Sequence, residues 1–477
     1  MKNIFGKLYQ ITTPRLWITL FIGASLIAFL VQLIILSYIF PSWNGGHGLL
    51  VGMDSLSFHR IASELANKIN NQGWSNWEFR PSGQSVAGIM GVAYALTGIQ
   101  EPWIIIPIYT VLYATGGILL WLIIDFFLKN RQKSLLCLTP YIFLPSAIML
   151  YAQPHKDMWQ IIGFFCFIYG WCLLFRQTTW KNLSLVIKVF FIILFGAGLS
   201  WIVRPYCVQI MQIMASLFSL FLTFFWICLV FRKKLKWTKS LLFIFLIWIL
   251  VAAFTPIASI SATVSKLNNI GLLIQKTNPS SAISIHLKSL SKVNNFLSTT
   301  TKPSDLSSSV NSKWIKTSWL PSFIDQKLAS IALNRDGFCL TNGNGNLDEN
   351  ISFCSVRDIV SYLPRAAEIG FLSPFPYQWF EIGSTSYNTL FRRIAGIEMV
   401  IIYTGELLLL WGITKFWRKP EIWIIFISSV AMIMAYALVV INIGTLYRER
   451  WGYMILLASL GFAMFLKYWN QKQNKAV

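Results

Sequence analysis

The stretch WITLFIGASLIAFLVQLIILSYIF, residues 17–40, is apolar at nearly every position and contains no charged residue. A helix needs about 20 apolar residues to cross the hydrocarbon of a bilayer, so this stretch predicts a membrane-spanning helix. Basic residues precede it, as in a signal peptide. The stretch is too long for the apolar region of such a peptide and no small-residue cleavage site follows, which predicts an anchor that is retained.

The composition agrees with lipid as the main solvent of the chain. Hydrophobic residues make up 55% of the 477 positions and charged residues only 12%, against about a quarter in soluble domains. The net charge of +22 lies largely in clusters that flank apolar runs, such as the one from Arg232 to Lys239. This placement indicates membrane orientation and contact with anionic lipid, and no nucleic-acid partner is predicted.

Nine further apolar runs predict nine more spans. They lie at roughly 103–127, 134–152, 157–175, 182–203, 207–231, 240–262, 396–416, 421–443 and 451–468. The stretch Val86 to Ile99 is shorter and glycine-containing, which is typical of a partial or re-entrant segment. The sequence therefore predicts an all-α polytopic membrane protein with about ten transmembrane helices, amphipathic interfacial helices in the first outside loop and one large outside loop.

The distribution of Lys and Arg predicts the orientation. Placing both termini in the cytoplasm puts basic residues in every inside connection, as at Lys129, Arg176 and Lys415. The chain then divides into a transmembrane bundle at 1–262 with its first outside loop at 41–85, a large outside loop at 263–395, and three C-terminal transmembrane helices at 396–477. A bacterial inner (plasma) membrane is the expected location.

Two of the seven cysteines, Cys339 and Cys354, fall in the large outside loop. An oxidising compartment would let them form a disulfide that encloses about 15 residues and contributes about 3 kcal/mol. The turn-rich residues 341–346 between them favour such a bridge, and two free thiols are the alternative.

The first outside loop holds Asp54, His59 and Arg60 at the start of an amphipathic stretch, whose apolar residues recur at helical spacing and predict one face on the membrane. Asp54 suits two roles. It is either the N-cap of this helix or a carboxylate held at the membrane surface as a general base. The sequence leaves both open.

A second polar set lies in the outside turn at 151–157, where His155, Lys156 and Asp157 follow one another between apolar runs. Charged residues at the membrane boundary are costly and mark functional sites, so phosphate or metal contact is one interpretation and helix capping is the other. Basic residues also stand at the outside ends of spans, at Arg204, Arg448 and Arg450. They predict phosphate binding, with interfacial snorkelling as the alternative.

These segments resemble the GT-C superfamily of membrane glycosyltransferases, which take sugar from polyprenyl-phosphate carriers. The resemblance rests on residues 54–62, on the short segment at 86–99, on the turn at 151–157, and on residues 444–450 before the last span. It implies a glycosyltransferase that uses a lipid-linked sugar donor and a glycan or lipid-linked acceptor on the non-cytoplasmic side. The resemblance also implies that an acidic residue of the first outside loop serves as the catalytic base or lies beside it, and this residue maps onto Asp54. Many members carry a second acid beside it, but position 55 is Ser here, which leaves Asp157 as the second candidate.

Other classes remain open from the sequence. An O-antigen or exopolysaccharide repeat-unit polymerase would share the many spans, the large outside loop and the outside arginines. A transporter or flippase of lipid-linked sugars should show broken helices and mid-membrane charges, whereas here the spans are nearly free of charge, with Lys188 and Glu406 as exceptions. An assembly factor without enzymatic activity would use the charges for lipid contact alone. The sequence identifies no cofactor, and dependence on a divalent metal stays open.

Overall fold

A computed structural model of the chain describes residues 12–176, 183–232, 241–257, 314–339, 345–383 and 385–476. Within these ranges the regular structure is helical, joined by short turns and two isolated β-bridges. The α-helices, in chain order, are α1 (Thr13–Phe29), α2 (Asp54–Gln72), α3 (Ser85–Thr97), α4 (Ile106–Leu128), α5 (Arg131–Leu136), α6 (Thr139–Phe143), α7 (Ser146–Ala152), α8 (Asp157–Arg176), α9 (Leu183–Val203), α10 (Pro205–Phe231), α11 (Leu241–Ile257), α12 (Ser322–Cys339), α13 (Val356–Leu372), α14 (Ser386–Phe416), α15 (Pro420–Val439) and α16 (Ile443–Ala476).

The protein is a polytopic membrane protein. Eight helices of the described chain are long and apolar enough to cross a bilayer, or up to nine if the bent pair Arg131–Phe143 and Ser146–Ala152 forms one span. Large apolar side chains such as Phe191, Phe224 and Leu407 are exposed along these helices. So much exposed apolar surface is not found on soluble monomers, and it is the surface that lipid covers.

Several of the ten predicted spans differ from the prediction in shape or in bounds. The segment at 134–152 is a helix pair bent by 74° rather than one straight crossing, because Pro145 cannot continue the backbone hydrogen bonding of a helix. Of the predicted span at 240–262, the structure describes the helix Leu241–Ile257, and residues 240 and 258–262 lie outside the described ranges. The first span starts earlier than predicted, at Thr13, and runs on through π-helical turns to Ile39.

The short segment at 86–99 is confirmed as partial. Its helix α3 has 13 residues, or about 20 Å at 1.5 Å per residue, which is too short to span a membrane. Gly91 lets it approach α2 closely, because a Cβ there would lie 2.8 Å from a methyl group of Leu65. The apolar face of α2 is therefore buried against protein, at Phe58 and Ile69 among others. The prediction that this face lies on lipid is wrong, because α3 covers it.

The loop predicted at 263–395 is described only from Trp314 onward, and residues 263–313 lie outside the described ranges. Its helices α12 and α13 pack against α15, and α14 begins at Ser386, before the predicted start at 396. Backbone hydrogen bonds between Leu347 and Ile441 (2.9 Å) and between Ile443 and Gly345 (3.1 Å) fasten the loop to the start of α16. The three C-terminal spans are present as α14, α15 and α16.

The predicted disulfide is not formed, and Cys339 and Cys354 are free thiols. The buried guanidinium of Arg335 closes this part of the loop instead. It donates hydrogen bonds to the backbone carbonyls of Ile351 (3.0 Å) and Asp348 (3.1 Å). A charged donor shared among carbonyl oxygens fastens the segment without a covalent bond.

Helices α4, α8 and α16 are mostly buried and form the centre of the bundle, with α14 packed along α16. The contact between α14 and α16 depends on small residues. A Cβ on Gly405 would lie 2.5 Å from the Cβ of Ala458, and one on Gly461 would collide with the carbonyl oxygen of Gly405. Small residues at such positions let two backbones approach closely, which is a main source of helix association in lipid.

Replacing Gly461 by Ala should destabilise the protein although Ala favours a helix by about 1 kcal/mol. The added methyl group meets backbone that cannot rotate away, and overpacking of this kind costs about 1–3 kcal/mol. The control is Gly23→Ala in α1, where a Cβ has no atom within 4 Å. The thermal midpoint in detergent should fall for Gly461→Ala and stay or rise for Gly23→Ala. Equal midpoints would show that the glycine contact does not hold these helices together.

Candidate functional site

A buried ion cluster lies at the end of the bundle where α2, α8, α10 and α16 begin. Arg204, immediately before α10, donates one hydrogen bond to Asp157 (2.6 Å) and one to Glu449 (2.7 Å). The phenol oxygen of Tyr436 accepts a third at 3.2 Å. All three charged groups are nearly inaccessible to solvent. Such charges persist in a low-dielectric interior only because each faces an opposite charge at hydrogen-bond distance.

Arg448 extends this cluster to the surface. Its Nε lies 2.8 Å from Oδ2 of Asp157, an ion pair whose angle is too poor for a hydrogen bond. Its Nη2 donates to Oδ2 of Asp54 at 3.0 Å. The side chain of Asp54 is 59% exposed, against 17% for Arg448 and 1% for Asp157. Asp54 is therefore the accessible carboxylate of the cluster.

The geometry decides between the two interpretations of Asp54. The N-cap of α2 is Met53, and no side chain caps this helix. Asp54 is the first helical residue, where a negative charge is favoured by the helix dipole. Its carboxylate points to Arg448, across 394 positions of sequence. The capping interpretation is wrong, and the general-base interpretation stays a prediction.

Four consecutive residues of α16, Tyr447–Arg450, reach five different elements. Successive side chains of a helix point about 100° apart, so a buried helix can bind partners on every side. The partners are, in order, Glu398 of α14, Asp54 of α2 together with Asp157 of α8, Arg204 before α10, and the carbonyl groups of Ile369 and Gly370 in α13.

Gln153 attaches the turn at 151–157 to the first outside loop. Its amide donates to the carbonyl of Gly48 (3.1 Å), and its carbonyl accepts from the backbone of Leu50 (3.2 Å) and the hydroxyl of Ser55 (3.4 Å). Because Ser55 follows Asp54 directly, this buried amide fixes the start of α2 relative to the turn that carries His155, Lys156 and Asp157.

His155 and Lys156 differ in environment. His155 is fully buried, and burial together with the charge of Arg448 lowers its pKa to about 4. Lys156 is half-buried, and its ammonium lies 5.7 Å from the centre of the Phe58 ring. Burial, and then Arg204, lower the pKa of Lys156. No carboxylate of the described residues lies within ion-pair distance of this ammonium.

Three predicted site residues lie elsewhere. His59 accepts or donates a hydrogen bond at 3.0 Å with the hydroxyl of Tyr94, beside His47. Arg60 is exposed on α2. Arg450 is fully buried and binds the carbonyls of Ile369 and Gly370. It holds α13 and does not reach the ion cluster, because two helical positions turn it away from Arg448.

A cavity of about 340 Å³ opens beside Asp54 and Arg448. Its walls combine aromatic faces with polar groups, a combination found in ligand sites. Besides Asp54 and Arg448, the lining includes Tyr387, Asn388, Phe391 and Arg392 of α14 and Trp451 of α16. The indole N–H of Trp451 has no hydrogen-bond partner among the described residues.

Sequence reasoning missed Glu398, a buried carboxylate that contacts Ser146 and Tyr447, two residues lining this cavity. It accepts hydrogen bonds from the backbone of Ser146 (2.7 Å) and the hydroxyl of Tyr447. A carboxylate in an apolar span was the available signal. It was overlooked because Glu398 stands close to the start of the predicted span, where an acidic residue is ordinary.

No group of three or more His, Cys, Asp or Glu side chains in the described chain could hold a metal ion. No family model, no curated protein and no solved structure matches this chain.

Removing the charge of Arg204 should lower the stability of the folded protein strongly. Arg204→Met leaves the carboxylates of Asp157 and Glu449 buried with less compensation, and breaking such a cluster costs about 3–5 kcal/mol. Adding Glu449→Gln removes one of the two uncompensated charges and should restore part of the loss. Thermal unfolding in detergent measures both, with the exposed Arg60→Met as the neutral control. A double variant less stable than Arg204→Met would show that Arg204 does not serve to balance Glu449.

The buried His155 should make stability depend on pH. Its pKa is about 4 in the folded protein, against 6.5 as the ordinary value, so between these values the unfolded chain binds more protons. Stability is then complete above pH 6.5 and falls as the pH drops towards 4, by about 3 kcal/mol at about 1.4 kcal/mol per pKa unit. His155→Gln should flatten this part of the curve of thermal midpoint against pH. Parallel curves for the two proteins would contradict a neutral, buried His155.

Proposed function

We propose that this chain is a membrane glycosyltransferase of GT-C type that transfers a sugar from a polyprenyl-phosphate-type lipid to a glycan or lipid-linked acceptor. The proposal includes about ten crossings, cytoplasmic termini and a site that faces away from the cytoplasm. It agrees with the meeting of Asp54, Asp157, Arg204 and Arg448 at one end of the bundle, since the Lys and Arg distribution assigns all four to the same side.

The observation that carries the proposal is the pair of Asp54 and Arg448 at the mouth of the cavity. A transferase of this class needs a base for the acceptor hydroxyl and a cation for the departing phosphate, within the length of one substrate. The exposed carboxylate and the guanidinium are 3.0 Å apart and both line the same cavity. General-base catalysis and stabilisation of developing charge are thereby available at one place.

The reaction that fits this pair is a single displacement. The acceptor hydroxyl attacks the anomeric carbon of the donor, and its proton passes to the carboxylate of Asp54. A bond forms between the acceptor oxygen and the anomeric carbon. The bond from that carbon to the phosphate oxygen breaks, and its electron pair stays on the phosphate. Arg448 and Lys156 stabilise the negative charge that the phosphate gains.

The remaining charged residues act as positioning residues in this proposal. Arg204 already binds Asp157, Glu449 and Tyr436, which leaves it little capacity for a phosphate. Asp157 is buried between Arg204 and Arg448, where it directs Arg448 towards the cavity and is shielded from an acceptor. In this proposal Arg204 positions its neighbours instead of binding phosphate, as the sequence had suggested. Asp157 likewise positions Arg448 instead of acting as a second catalytic carboxylate.

The walls of the cavity suit a sugar. A sugar ring has apolar faces and polar edges, and the cavity offers aromatic faces at Tyr387, Phe391 and Trp451 with polar groups at Asn388 and Arg392. The cavity lies at the ends of membrane-spanning helices, where the head group of a membrane lipid is held at the interface. Ligand and lipid can thus reach the site without leaving the membrane.

Asp54→Asn should abolish most transfer while the protein folds normally. The amide keeps the size of the carboxylate but cannot accept the proton, and general-base catalysis contributes roughly 100- to 10,000-fold. The measurement is release of carrier phosphate from a panel of polyprenyl-linked sugars by the purified protein in lipid. The length of the product separates addition of one sugar from joining of repeat units.

The matched control is Glu64→Gln, an equal loss of charge at an exposed position of the same helix, which should leave transfer unchanged. Unchanged transfer by Asp54→Asn would refute the assignment of the base. Movement of the lipid-linked sugar across the bilayer without any release of phosphate would favour the transporter alternative.

A further inference from the structure

The proposed base is occupied in this structure. Oδ2 of Asp54 accepts the hydrogen bond from Nη2 of Arg448 at 3.0 Å. The guanidinium that should bind the phosphate is therefore paired with the carboxylate that should take the proton. As long as this pair persists, neither group is fully available to a substrate.

This pair is the one contact of the cluster that can open easily. Asp157 is 1% exposed and Glu449 about 10%, whereas the Asp54 side chain is 59% exposed. Separating a buried carboxylate from its arginine leaves a charge without solvent. The side chain of Asp54 can instead rotate towards the solvent, where water hydrates its carboxylate. An ion pair with one exposed partner is weak. The pairing of Arg448 with Asp157 keeps the guanidinium in place while Asp54 leaves.

A second cation stands next to the pair. Lys156 lies against Phe58, one helical turn after Asp54, and among the described residues no carboxylate is within ion-pair distance of its ammonium. The named charges of the cluster are three acids, Asp54, Asp157 and Glu449, and three bases, Arg204, Arg448 and Lys156. An added anion would unbalance this set unless one carboxylate moved away.

We propose that the phosphate group of the lipid substrate binds Arg448 and Lys156 by displacing the carboxylate of Asp54, so that donor binding itself frees the base. This inference rests on the proposed function. The exchange replaces one anion by another on Arg448 and keeps the charge of the cluster near zero. Asp54 then faces the cavity with its oxygen atoms free for an acceptor hydroxyl.

The exchange also orders the reaction. The charge stays balanced in the transfer step, because the departing phosphate gains one negative charge while Asp54 loses one by taking the proton. Without donor, Asp54 is held on Arg448, and an acceptor that arrives first meets a carboxylate with one of its two oxygens, Oδ2, already engaged and its orientation set by Arg448. Donor should therefore bind before acceptor.

The test is binding of farnesyl phosphate, which carries no sugar, to the full-length protein in lipid nanodiscs. If Asp54 competes with the phosphate, Asp54→Asn should tighten binding about two- to fivefold, the range of an exposed ion pair. Asp54→Ser should do the same and guards against an effect peculiar to Asn. Arg448→Gln should weaken binding about tenfold or more, the range of a hydrogen bond to a charged group.

The control is again Glu64→Gln, which removes an equal charge from the same helix and should leave binding unchanged. A second arm uses inorganic phosphate. If the variants rank in the same order of affinity for both probes, the competition is with the phosphate group itself. If the Asp54 variants bind only farnesyl phosphate more tightly, direct competition between Asp54 and phosphate is overturned. Unchanged or weaker binding in both Asp54 variants also overturns the proposal.

Failure of the inference and failure of the proposed function can be told apart. Loss of transfer in Asp54→Asn with unchanged farnesyl phosphate affinity leaves the transferase proposal intact and removes the displacement. Tighter binding in the Asp54 variants with no transfer of any sugar tested leaves a phosphate-lipid site regulated by Asp54 and removes the transferase.

Discussion

The bundle depends on one buried guanidinium, that of Arg204, which lies between the carboxylates of Asp157 and Glu449. These three groups come from three helix ends that are far apart in sequence, so their pairing fixes how α8, α10 and α16 meet. Moving any of these three groups away would leave a charge without a partner in a low-dielectric interior. The arrangement is therefore specific to one packing of the helices. Arg448 and Asp54 then bind to a cluster of helix ends that is already rigid.

Helix α16 carries the side chains that connect this rigid cluster to the cavity. Four successive side chains at its buried beginning bind five neighbouring elements, and Arg448 alone binds two of them. Arg448 is thereby held by Asp157 on its inner side and left to meet Asp54 at the surface. The contact with Asp157 restricts the long side chain of Arg448 before any ligand is present, so that less conformational entropy would be lost if this side chain bound one.

The structure also changes the meaning of residues that the sequence had singled out. Arg448 and Arg450 look equivalent in a sequence motif, yet one faces the cavity and the other binds carbonyl groups of α13. Arg335 was not singled out, yet it fastens the outside loop where a disulfide was expected. In each case the deciding factor is the direction in which a helix points the side chain, and this direction has meaning only once the neighbours are known.

The sequence by itself determined the solvent and the class of fold. Long apolar runs with few charges can only be stable in lipid as helices, because every backbone polar group must be satisfied within the segment. It also predicted that Asp54, Asp157, Arg204 and Arg448 belong to one side, and the structure brings the four side chains together at one end of the bundle. The tertiary structure alone decided that Asp54 pairs with Arg448 rather than capping α2, and that α3 covers the apolar face of α2. These depend on contacts between residues distant in the chain, whose energies arise from packing and charge pairing and leave no periodic trace in the sequence.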